Sequence, residues 1–358
     1  MRVLITGGAG FVGAHLARSI RRDDPTADIV CLDNLKRRGA EINIGLLRAV
    51  GITFVHGDIR VASDLATLEG SFDLLIEASA EPSVLAGIDG SPDYLLQTNL
   101  LGTLNCLEFS RRRVGAVIFL STSRVYSIAP LRSIPLVEAD TRLTLSEPLS
   151  QRGMSSHGIA EDFPTDSPRS LYGASKLASE LFVQEYVDTY GMRAVINRCG
   201  VIAGAGQFGK VDQGVFTLWV ANHHFGLPLR YTGFGGTGKQ VRDLLHPEDL
   251  HRLIGVQYER IDALTGGVFN VGGGIDGSVS LAELTGLCEA ATGRRVPIAS
   301  VPDSASVDMP WYCTDNRRVT EMTGWAPQRR PVDIVGDIER WIAANETLLA
   351  PIFAPEGS

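Results

Sequence analysis

The run Val3-Leu4-Ile5-Thr6-Gly7-Gly8-Ala9-Gly10-Phe11-Val12-Gly13, near the start of the chain, decides the fold. Its apolar residues 3–5 predict a buried strand, and residues 11–22 have the length of a helix. A glycine-rich turn between a strand and a helix lets the backbone approach a pyrophosphate, and the helix N-terminus offers free N–H groups to that anion. A glycine motif alone also fits an ordinary tight turn, so its context has to decide.

Short apolar runs repeat this pattern along the first part of the chain. They predict buried strands at residues 3–5, 29–32, 52–55, 74–76 and 117–120. The runs are continuous rather than alternating, which is typical of a parallel sheet covered on both faces. Helix-length segments such as 91–113 separate them, and a helix at 172–190 with a strand at 193–197 resumes the pattern. The alternation predicts an α/β fold, a Rossmann-type doubly wound parallel sheet with right-handed crossovers.

Two later regions differ from this pattern. Residues 127–170 contain five prolines and many serines and glycines, which predicts a long irregular insertion of the kind that is usually functional. From residue 201 onward the sequence is mixed and rich in glycine. We therefore expect a first domain over residues 1–200, and a smaller C-terminal lobe over residues 201–350 that is interleaved with it.

Composition limits the kinds of partner to expect. The 358 residues carry a net charge of −8 without a basic stripe, which argues against nucleic acid as a partner. No apolar run approaches the roughly 18 residues that span a bilayer, and no signal peptide is recognisable, so we expect a cytoplasmic protein without membrane contact. Five scattered cysteines without a C-x-x-C pair predict neither a disulfide framework nor a metal site.

Acidic residues end the second and third predicted strands. Asp33 follows the glycine turn by about 20 residues, where a carboxylate accepts hydrogen bonds from both ribose hydroxyls of a dinucleotide and repels a 2′-phosphate. This predicts NAD rather than NADP as the cofactor. The positively charged side chains of residues 36–38 could weaken the preference for NAD over NADP, although a solvated loop explains these charges better. Asp58 ends the third strand, where its carboxylate could meet the adenine amino group.

A second motif, Tyr172-Gly173-Ala174-Ser175-Lys176, predicts redox chemistry. Tyr172 and Lys176 are four residues apart at the start of a helix and so share one face. An ammonium group and the positive nicotinamide ring should together lower the pKa of the phenol. Ser121-Thr122-Ser123 ends the fifth strand, and a hydroxyl there can hold a substrate oxygen. A Y-x-x-x-K pair alone is common on exposed helices, but with the glycine turn it indicates hydride transfer through a nicotinamide cofactor.

Together these motifs resemble the extended short-chain dehydrogenase/reductase family, whose members modify nucleotide sugars. The matching motifs are T-G-G-x-G-F-x-G at 6–13, D-N at 33–34, G-D-I at 57–59, N-x-x-G-T at 99–103 and Y-G-x-S-K at 172–176. The resemblance covers nearly the whole chain and implies bound NAD, with Thr122, Tyr172 and Lys176 as catalytic residues. The cofactor-binding residues that it implies are Gly7, Gly10, Phe11, Val12, Gly13, Asp33, Asn34, Asp58, Ile59, Ala78, Asn99, Tyr172 and Lys176.

Within this family the chain resembles a branch that epimerises C2 of a CDP-hexose by transient oxidation to a keto sugar. The segments that carry this likeness are 33–40, 54–60, Gln207-Phe208 with residues 212–214, and 238–246. The likeness implies a CDP-sugar as the favoured nucleotide-diphosphate sugar, held by the C-terminal lobe. Arg242 would clamp a phosphate, since a guanidinium fork matches phosphate oxygens. The other implied substrate residues are Thr122, Gln207 and Gln240.

The chain also departs from the family pattern. Glu77-Ala78-Ser79-Ala80-Glu81 stands where the family usually has His-Leu-Ala-x-Gln. Ser123-Arg124 stands where 4,6-dehydratases carry Asp-Glu, which argues against elimination. Val201 replaces an asparagine of many 4-epimerases, which disfavours chemistry at C4. A 4-epimerase and an NAD(P)-dependent nucleotide-sugar reductase share the catalytic residues and stay open, and a non-catalytic sensor is a third reading.

The resemblance implies a homodimer in which two helices from each subunit pair. Residues 91–113 and 172–190 are the helices concerned. One candidate apolar stripe is Leu95, Leu96, Leu100, Leu104 and Leu107. Simple packing of these leucines in the core explains the stripe equally well.

Overall fold

The computed structural model describes residues 1–88, 90–208 and 214–354, so residues 212–213 of the family likeness lie outside the described residues. The strands in chain order are β1 (Arg2–Thr6), β2 (Asp28–Asp33), β3 (Thr53–His56), β4 (Phe72–Glu77), β5 (Val114–Thr122), β6 (Leu136–Glu138), β7 (Leu143–Leu145), β8 (Met154–Ser155), β9 (Gly158–Ile159), β10 (Ala194–Cys199), β11 (Val201–Ile202), β12 (Leu229–Thr232), β13 (Val241–Leu245), β14 (Val268–Val271), β15 (Ser278–Ser280), β16 (Ile298–Val301) and β17 (Trp311–Tyr312). The helices are α1 (Phe11–Asp23), α2 (Ala40–Ala49), α3 (Ala62–Ala66), α4 (Asp93–Leu96), α5 (Gly102–Arg113), α6 (Ile128–Arg132), α7 (Leu171–Tyr190), α8 (Val215–Phe225), α9 (Pro247–Glu259), α10 (Ile261–Leu264), α11 (Leu281–Thr292), α12 (Arg317–Thr323), α13 (Pro331–Ala344) and α14 (Glu346–Phe353).

A seven-stranded parallel sheet forms the centre of the molecule, in the order β14-β10-β5-β4-β1-β2-β3. From β1 the chain first builds outward through β2 and β3, and then continues on the other side with β4. The strand order therefore reverses between β1 and β4, and ligands bind in the crevice outside the carboxyl ends at such a point. The predicted Rossmann-type doubly wound fold is confirmed.

Both faces of this sheet are covered, which explains the continuous apolar runs in its inner strands. Val3 and Ile5 of β1 pack into a core beneath α1 and α9. Leu4, between them, points to the opposite face and packs into a second core, to which α5 and α7 contribute. Residues 3–6 of β1 are thus all buried, on one face or the other, and the glycine turn after β1 lies at the carboxyl edge of the sheet.

The insertion over residues 127–170 is more ordered than its composition predicts. It contains the helix α6 and two antiparallel hairpins, β6-β7 and β8-β9. The hairpins are held by later parts of the chain, since Leu143 N–H donates to the carbonyl of Lys239 and Ile159 N–H donates to that of Cys313. These long-range bonds could not be recognised from local sequence.

The smaller lobe is built on β11, β13, β15 and β17, with α8, α11, α13 and α14 packed around a third core. The chain also returns to the central sheet within this region. α9 packs on α1, and β14 is the edge strand next to β10. No helix in the described ranges is both long and apolar enough to cross a membrane.

The predicted helix over 91–113 is interrupted. A π-helical turn at Gln97–Leu101 separates α4 from α5. Its cause is Asn99, whose carbonyl accepts hydrogen bonds from the hydroxyls of Thr103 at 2.9 Å and Ser179 at 2.7 Å. The break falls within the predicted apolar stripe. Two leucines of that stripe, Leu95 and Leu107, are buried in the subunit.

Candidate active site at the carboxyl edge of the sheet

The glycine turn after β1 is packed too closely for side chains. A Cβ atom on Gly7 would lie 2.8 Å from the carbonyl oxygen of Ala78, and one on Gly13 would lie 2.2 Å from the carbonyl oxygen of Gly7. Gly10 is the N-cap of α1, whose first turn, with Phe11 and Val12, has neither a side-chain cap nor an acidic residue. Because no side chain caps this first turn, its N–H groups suit a pyrophosphate.

Asp33 lies beside this turn at the end of β2. One carboxylate oxygen accepts the Ala9 N–H at 3.1 Å, and the other accepts the Leu35 N–H at 2.8 Å. Burial raises the pKa of Asp33, and these backbone donors oppose the rise. The carboxylate is therefore fixed beside the glycine turn, where the sequence predicts the ribose hydroxyls.

Asp58 is held by two neighbours. Its carboxylate accepts hydrogen bonds from Arg60 Nη2 at 2.6 Å and from Asn34 Nδ2 at 2.9 Å. Burial would raise the pKa of Asp58, but these donors outweigh it and lower the pKa to about 2. Arg60 also lies over the Tyr94 ring, 4.6 Å from its centroid. Arg60 and Tyr94 were missed from the sequence because no local pattern links them. Ile59, predicted beside the cofactor, has its side chain in the core.

Tyr172 and Thr122 meet where α7 begins above the end of β5. Ser170 caps α7 by accepting the Gly173 N–H at 3.1 Å, which places Tyr172 in the first helical turn. Burial raises the pKa of Tyr172 to about 12, and a hydrogen bond with Thr122 and the charge of Arg124 oppose the rise. The sequence predicted that an ammonium and the bound nicotinamide ring lower this pKa, whereas in the polypeptide alone burial raises it.

Lys176 is buried one turn after Tyr172. Its Nζ lies 3.7 Å from Oε2 of Glu77, at the end of β4, and 3.9 Å from the centroid of the Phe119 ring. Burial lowers the pKa of Lys176, and the Glu77 carboxylate opposes the fall. The departure at position 77 from the family pattern therefore lies directly against the predicted catalytic lysine.

Asn99 joins the loop after β4 to α7. Its amide nitrogen donates to the carbonyl of Glu81 at 3.1 Å and to the hydroxyl of Ser175 at 3.2 Å, and its amide oxygen accepts the Glu81 N–H at 2.8 Å. Both amide hydrogens are used within the protein. Asn99 thus holds the loop that includes Ala78 against the helix that carries Tyr172.

Two arginines mark the side of the site that faces the smaller lobe. Arg242 on β13 donates to Asp308 at 2.8 Å, and Arg124 lies 4.0 Å from the same carboxylate. Burial and the charge of Arg242 lower the pKa of Arg124 to about 10. Two guanidinium groups that share one carboxylate leave a positive charge, which suits an anionic ligand. Arg124 was not among the predicted binding residues.

The two predicted glutamines lie in different surroundings. Gln240 is buried beside β13 and donates to the carbonyl of Thr232 at 3.1 Å, while its amide oxygen has no donor within the described ranges. Gln207 donates to the carbonyl of Ile202 and accepts a hydrogen bond from Thr217, so its amide is used within the lobe. The part of the chain that the structure describes holds no cluster of three or more side chains suited to a metal ion.

Comparison with known proteins agrees with this geometry. The NAD dependent epimerase/dehydratase family matches residues 3–272. The chain belongs to this family. Membership confirms the resemblance drawn from the motifs, and it confirms NAD as the cofactor.

Individual relatives within this family carry different activities. CDP-paratose 2-epimerase of Salmonella typhi is 31% identical over 353 residues, which are 96% of this chain and 100% of that protein. dTDP-glucose 4,6-dehydratase of Streptomyces antibioticus is 29% identical and covers 98% of this chain and 95% of its own length. Among solved structures, the dTDP-glucose 4,6-dehydratase DesIV of Streptomyces venezuelae, with NAD bound, has a TM-score of 0.78 at 29% identity and covers 98% of this chain and 100% of its own.

A more distant structure shows the fold alone. UDP-glucuronic acid 4-epimerase from Bacillus cereus, in complex with UDP-glucuronic acid and NAD, has a TM-score of 0.76 at 21% identity. It covers 96% of this chain and 99% of its own. The family is therefore established, while the reaction of this member has to be argued from its site.

The position of Asp33 generates a prediction about cofactor choice. We expect Asp33→Asn to weaken NAD binding by about 10-fold, since one charged hydrogen-bond acceptor is lost. The preference for NAD over NADP should fall in parallel, because the charge that repels a 2′-phosphate is gone. Calorimetric titration with both cofactors measures this. Asp28→Asn, at the other end of the same strand, should change neither affinity, and tighter NADP binding by the wild type would contradict the role of Asp33.

Proposed function

We propose that this protein is an NAD-dependent nucleotide-sugar epimerase that inverts C2 of a CDP-hexose of the CDP-paratose and CDP-tyvelose type. The observation that carries the proposal is the hydrogen bond between Thr122 and Tyr172, with Lys176 buried one turn later on the same helix against the end of β4. The 31% identical CDP-paratose 2-epimerase supports the choice of base and carbon.

The mechanism follows from the roles that the geometry allows. The glycine turn and Asp33 would hold NAD, which would supply a reversible hydride acceptor. Tyr172 in its phenolate form takes the proton from the sugar hydroxyl and, as the phenol, gives it back, while Thr122, its hydrogen-bond partner, orients the same oxygen. Lys176 brings a positive charge to the face of α7 that carries Tyr172. Arg242 and Arg124 would hold the diphosphate while the keto sugar turns, so that hydride returns to its opposite face.

The residues around Thr122 argue against elimination. Ser123 is buried, and Arg124 is directed to the Val307 carbonyl, to which it donates at 3.1 Å. This chain therefore has no carboxylate at the two positions where the dehydratase pattern has Asp-Glu. Val201 packs beside the core of the smaller lobe and offers no polar group in place of the 4-epimerase asparagine.

A same-family 4-epimerase and a nucleotide-sugar reductase are the alternatives. Both would use the same tyrosine and lysine, so the site geometry does not distinguish them. Product analysis separates C2 from C4 inversion. Steady consumption of NADPH with a keto sugar would identify a reductase, since an epimerase returns its hydride in every turnover.

The proposal is tested by incubating the purified protein with CDP-, dTDP-, UDP- and GDP-sugars in ordinary and in deuterated water. We expect inversion at C2 of a CDP-sugar, seen by NMR, without net formation of NADH. The inverted carbon should stay protiated, because hydride moves only within the site. Deuterium at that carbon would mean proton abstraction from carbon and would overturn the redox mechanism.

The catalytic residues generate a second prediction. Tyr172→Phe removes only the phenolic oxygen, so we expect the fold and NAD binding to survive while the rate falls by about 10²–10⁴-fold. Lys176→Ala should cost a comparable factor, and Thr122→Val should cost less because the hydroxyl positions the substrate. Turnover of the substrate found in the panel measures these changes. A Tyr172→Phe variant with wild-type turnover would remove the tyrosine from the mechanism.

We further propose that two copies of the chain form a homodimer through α5 and α7. α7 packs beside α5 and beside the two turns that precede α5, namely α4 and Gln97–Leu101. The exposed apolar residues of these elements include Leu96, Leu101, Leu181 and Phe182. Only Leu96 belongs to both this set and the stripe predicted from the sequence.

Light scattering on substituted proteins tests the dimer. Leu181→Glu places a charge on a side chain that is 56% exposed in the subunit, and we expect it to give a monomer. Val332→Glu is the matched control, because Val332 is 59% exposed on α13, away from the proposed interface. A wild-type protein that is monomeric at micromolar concentration would contradict the proposal.

A further inference from the structure

Glu77, the last residue of β4, is a carboxylate enclosed in the protein. Its side chain is 1% exposed, and neither of its oxygens has a hydrogen-bond donor in the described parts of the chain. Nζ of Lys176 lies 3.7 Å from Oε2, and the lysine side chain is 2% exposed. An unpaired buried charge is strongly unfavourable, so each of these groups depends on the other to stay ionised.

The neighbours of Glu77 in the sheet offer no other cation. Its register partners are Thr6 on β1 and Phe119 on β5, a hydroxyl and an aromatic ring. The family pattern has histidine at this position, a side chain that is neutral at neutral pH when it is unperturbed. A carboxylate here adds a full negative charge directly behind the catalytic lysine.

The groups that face Lys176 come from five elements. They are Glu77 on β4, Cys106 on α5, Phe119 on β5, Glu180 on α7 and Cys199 on β10, and Tyr172 precedes the lysine by one turn of α7. Glu180 is already bonded to Arg198, whose Nη2 lies 2.7 Å from its carboxylate, and to the hydroxyl of Ser121. Burial raises the pKa of both thiols, so neither carries a charge at neutral pH. Glu77 is therefore the carboxylate that is matched to Lys176 alone.

We propose that Glu77 is a positioning residue that holds Lys176 in its ammonium form on the face of α7 that carries Tyr172. Glu77 does not touch the substrate in this account. It acts through the lysine, which would otherwise give up its proton in the interior. Its effect on the rate rests on the proposed function, since the ammonium serves the reaction through Tyr172.

The protonation of Lys176 can be measured without cofactor or sugar. The chain has four lysines, Lys36, Lys176, Lys210 and Lys239, so ¹³C at lysine Cε gives few NMR signals, and Lys176→Met assigns the one of interest. Wild type and Glu77→Gln are titrated from about pH 6 to about pH 11. Loss of the negative charge destabilises the ammonium, so we expect the midpoint of Lys176 to fall by at least about one pH unit.

Two further variants separate charge from packing. Glu77→Asp keeps the carboxylate and should keep the midpoint within about half a pH unit of the wild type, a small part of the burial effect. Asp315→Asn removes another buried carboxylate, 2% exposed and 2.6 Å from Arg317, and should leave the Lys176 midpoint unchanged.

If Glu77→Gln does not fold, Glu77→His takes its place, since imidazole is neutral above about pH 7. A folded Gln or His variant whose Lys176 midpoint stays or rises overturns the proposal.

The pH profile of turnover gives the second measurement. In Glu77→Gln the alkaline limb of kcat/KM should move to lower pH by the same amount as the lysine midpoint, while Asp315→Asn keeps the wild-type profile. A lower rate with an unmoved profile would mean a purely structural role and would contradict the proposal. If none of the sugars turns over, the epimerase assignment fails, and the lysine titration still decides the role of Glu77.

Discussion

The site depends on the pairing of charges buried between α7 and the central sheet. Lys176 and Glu180 lie four residues apart on the buried face of this helix, and each is about 1% exposed. Arg198 on β10 binds both oxygens of Glu180, and the hydroxyl of Ser121 on β5 donates to the same carboxylate. Any rotation of α7 would separate these charges in the interior, which costs far more than the loss of apolar contact alone. The helix therefore has one allowed orientation over the sheet.

That orientation brings Tyr172 to Thr122. The first turn of α7 lies against the chain that leaves β5, so closely that a Cβ on Gly173 would be 2.0 Å from the carbonyl oxygen of Arg124. Glycine at this position lets the helix approach the strand end, and the buried charges one and two turns later hold it there. Catalytic geometry and buried electrostatics are thus parts of one packing arrangement.

Local patterns were enough to predict much of the fold and part of the site. The strand β1, the turn through Gly13 and the helix α1 follow one another in sequence, so their chemistry is visible in a single run. The π-helical turn was not predictable, because the Asn99 carbonyl is drawn to the hydroxyl of Ser179, 80 residues away. The hairpin β8-β9 depends in the same way on the carbonyl of Cys313. The burial that raises the pKa of Tyr172 in the polypeptide alone was likewise not visible from its neighbours in sequence.

Ion pairs between residues distant in sequence also determine where positive charge lies in the site. Lys176 is matched by Glu77, so this pair adds little net field at the substrate, whereas Arg124 and Arg242 share Asp308 and keep an excess positive charge near the smaller lobe. An anionic diphosphate is therefore attracted to the arginines rather than to the lysine. In the proposed reaction this separation matters, because the nucleotide has to stay anchored while the sugar turns beside Tyr172. The charge of the lysine is matched by Glu77 on the buried face of α7, so the excess positive charge of the site lies with the two arginines.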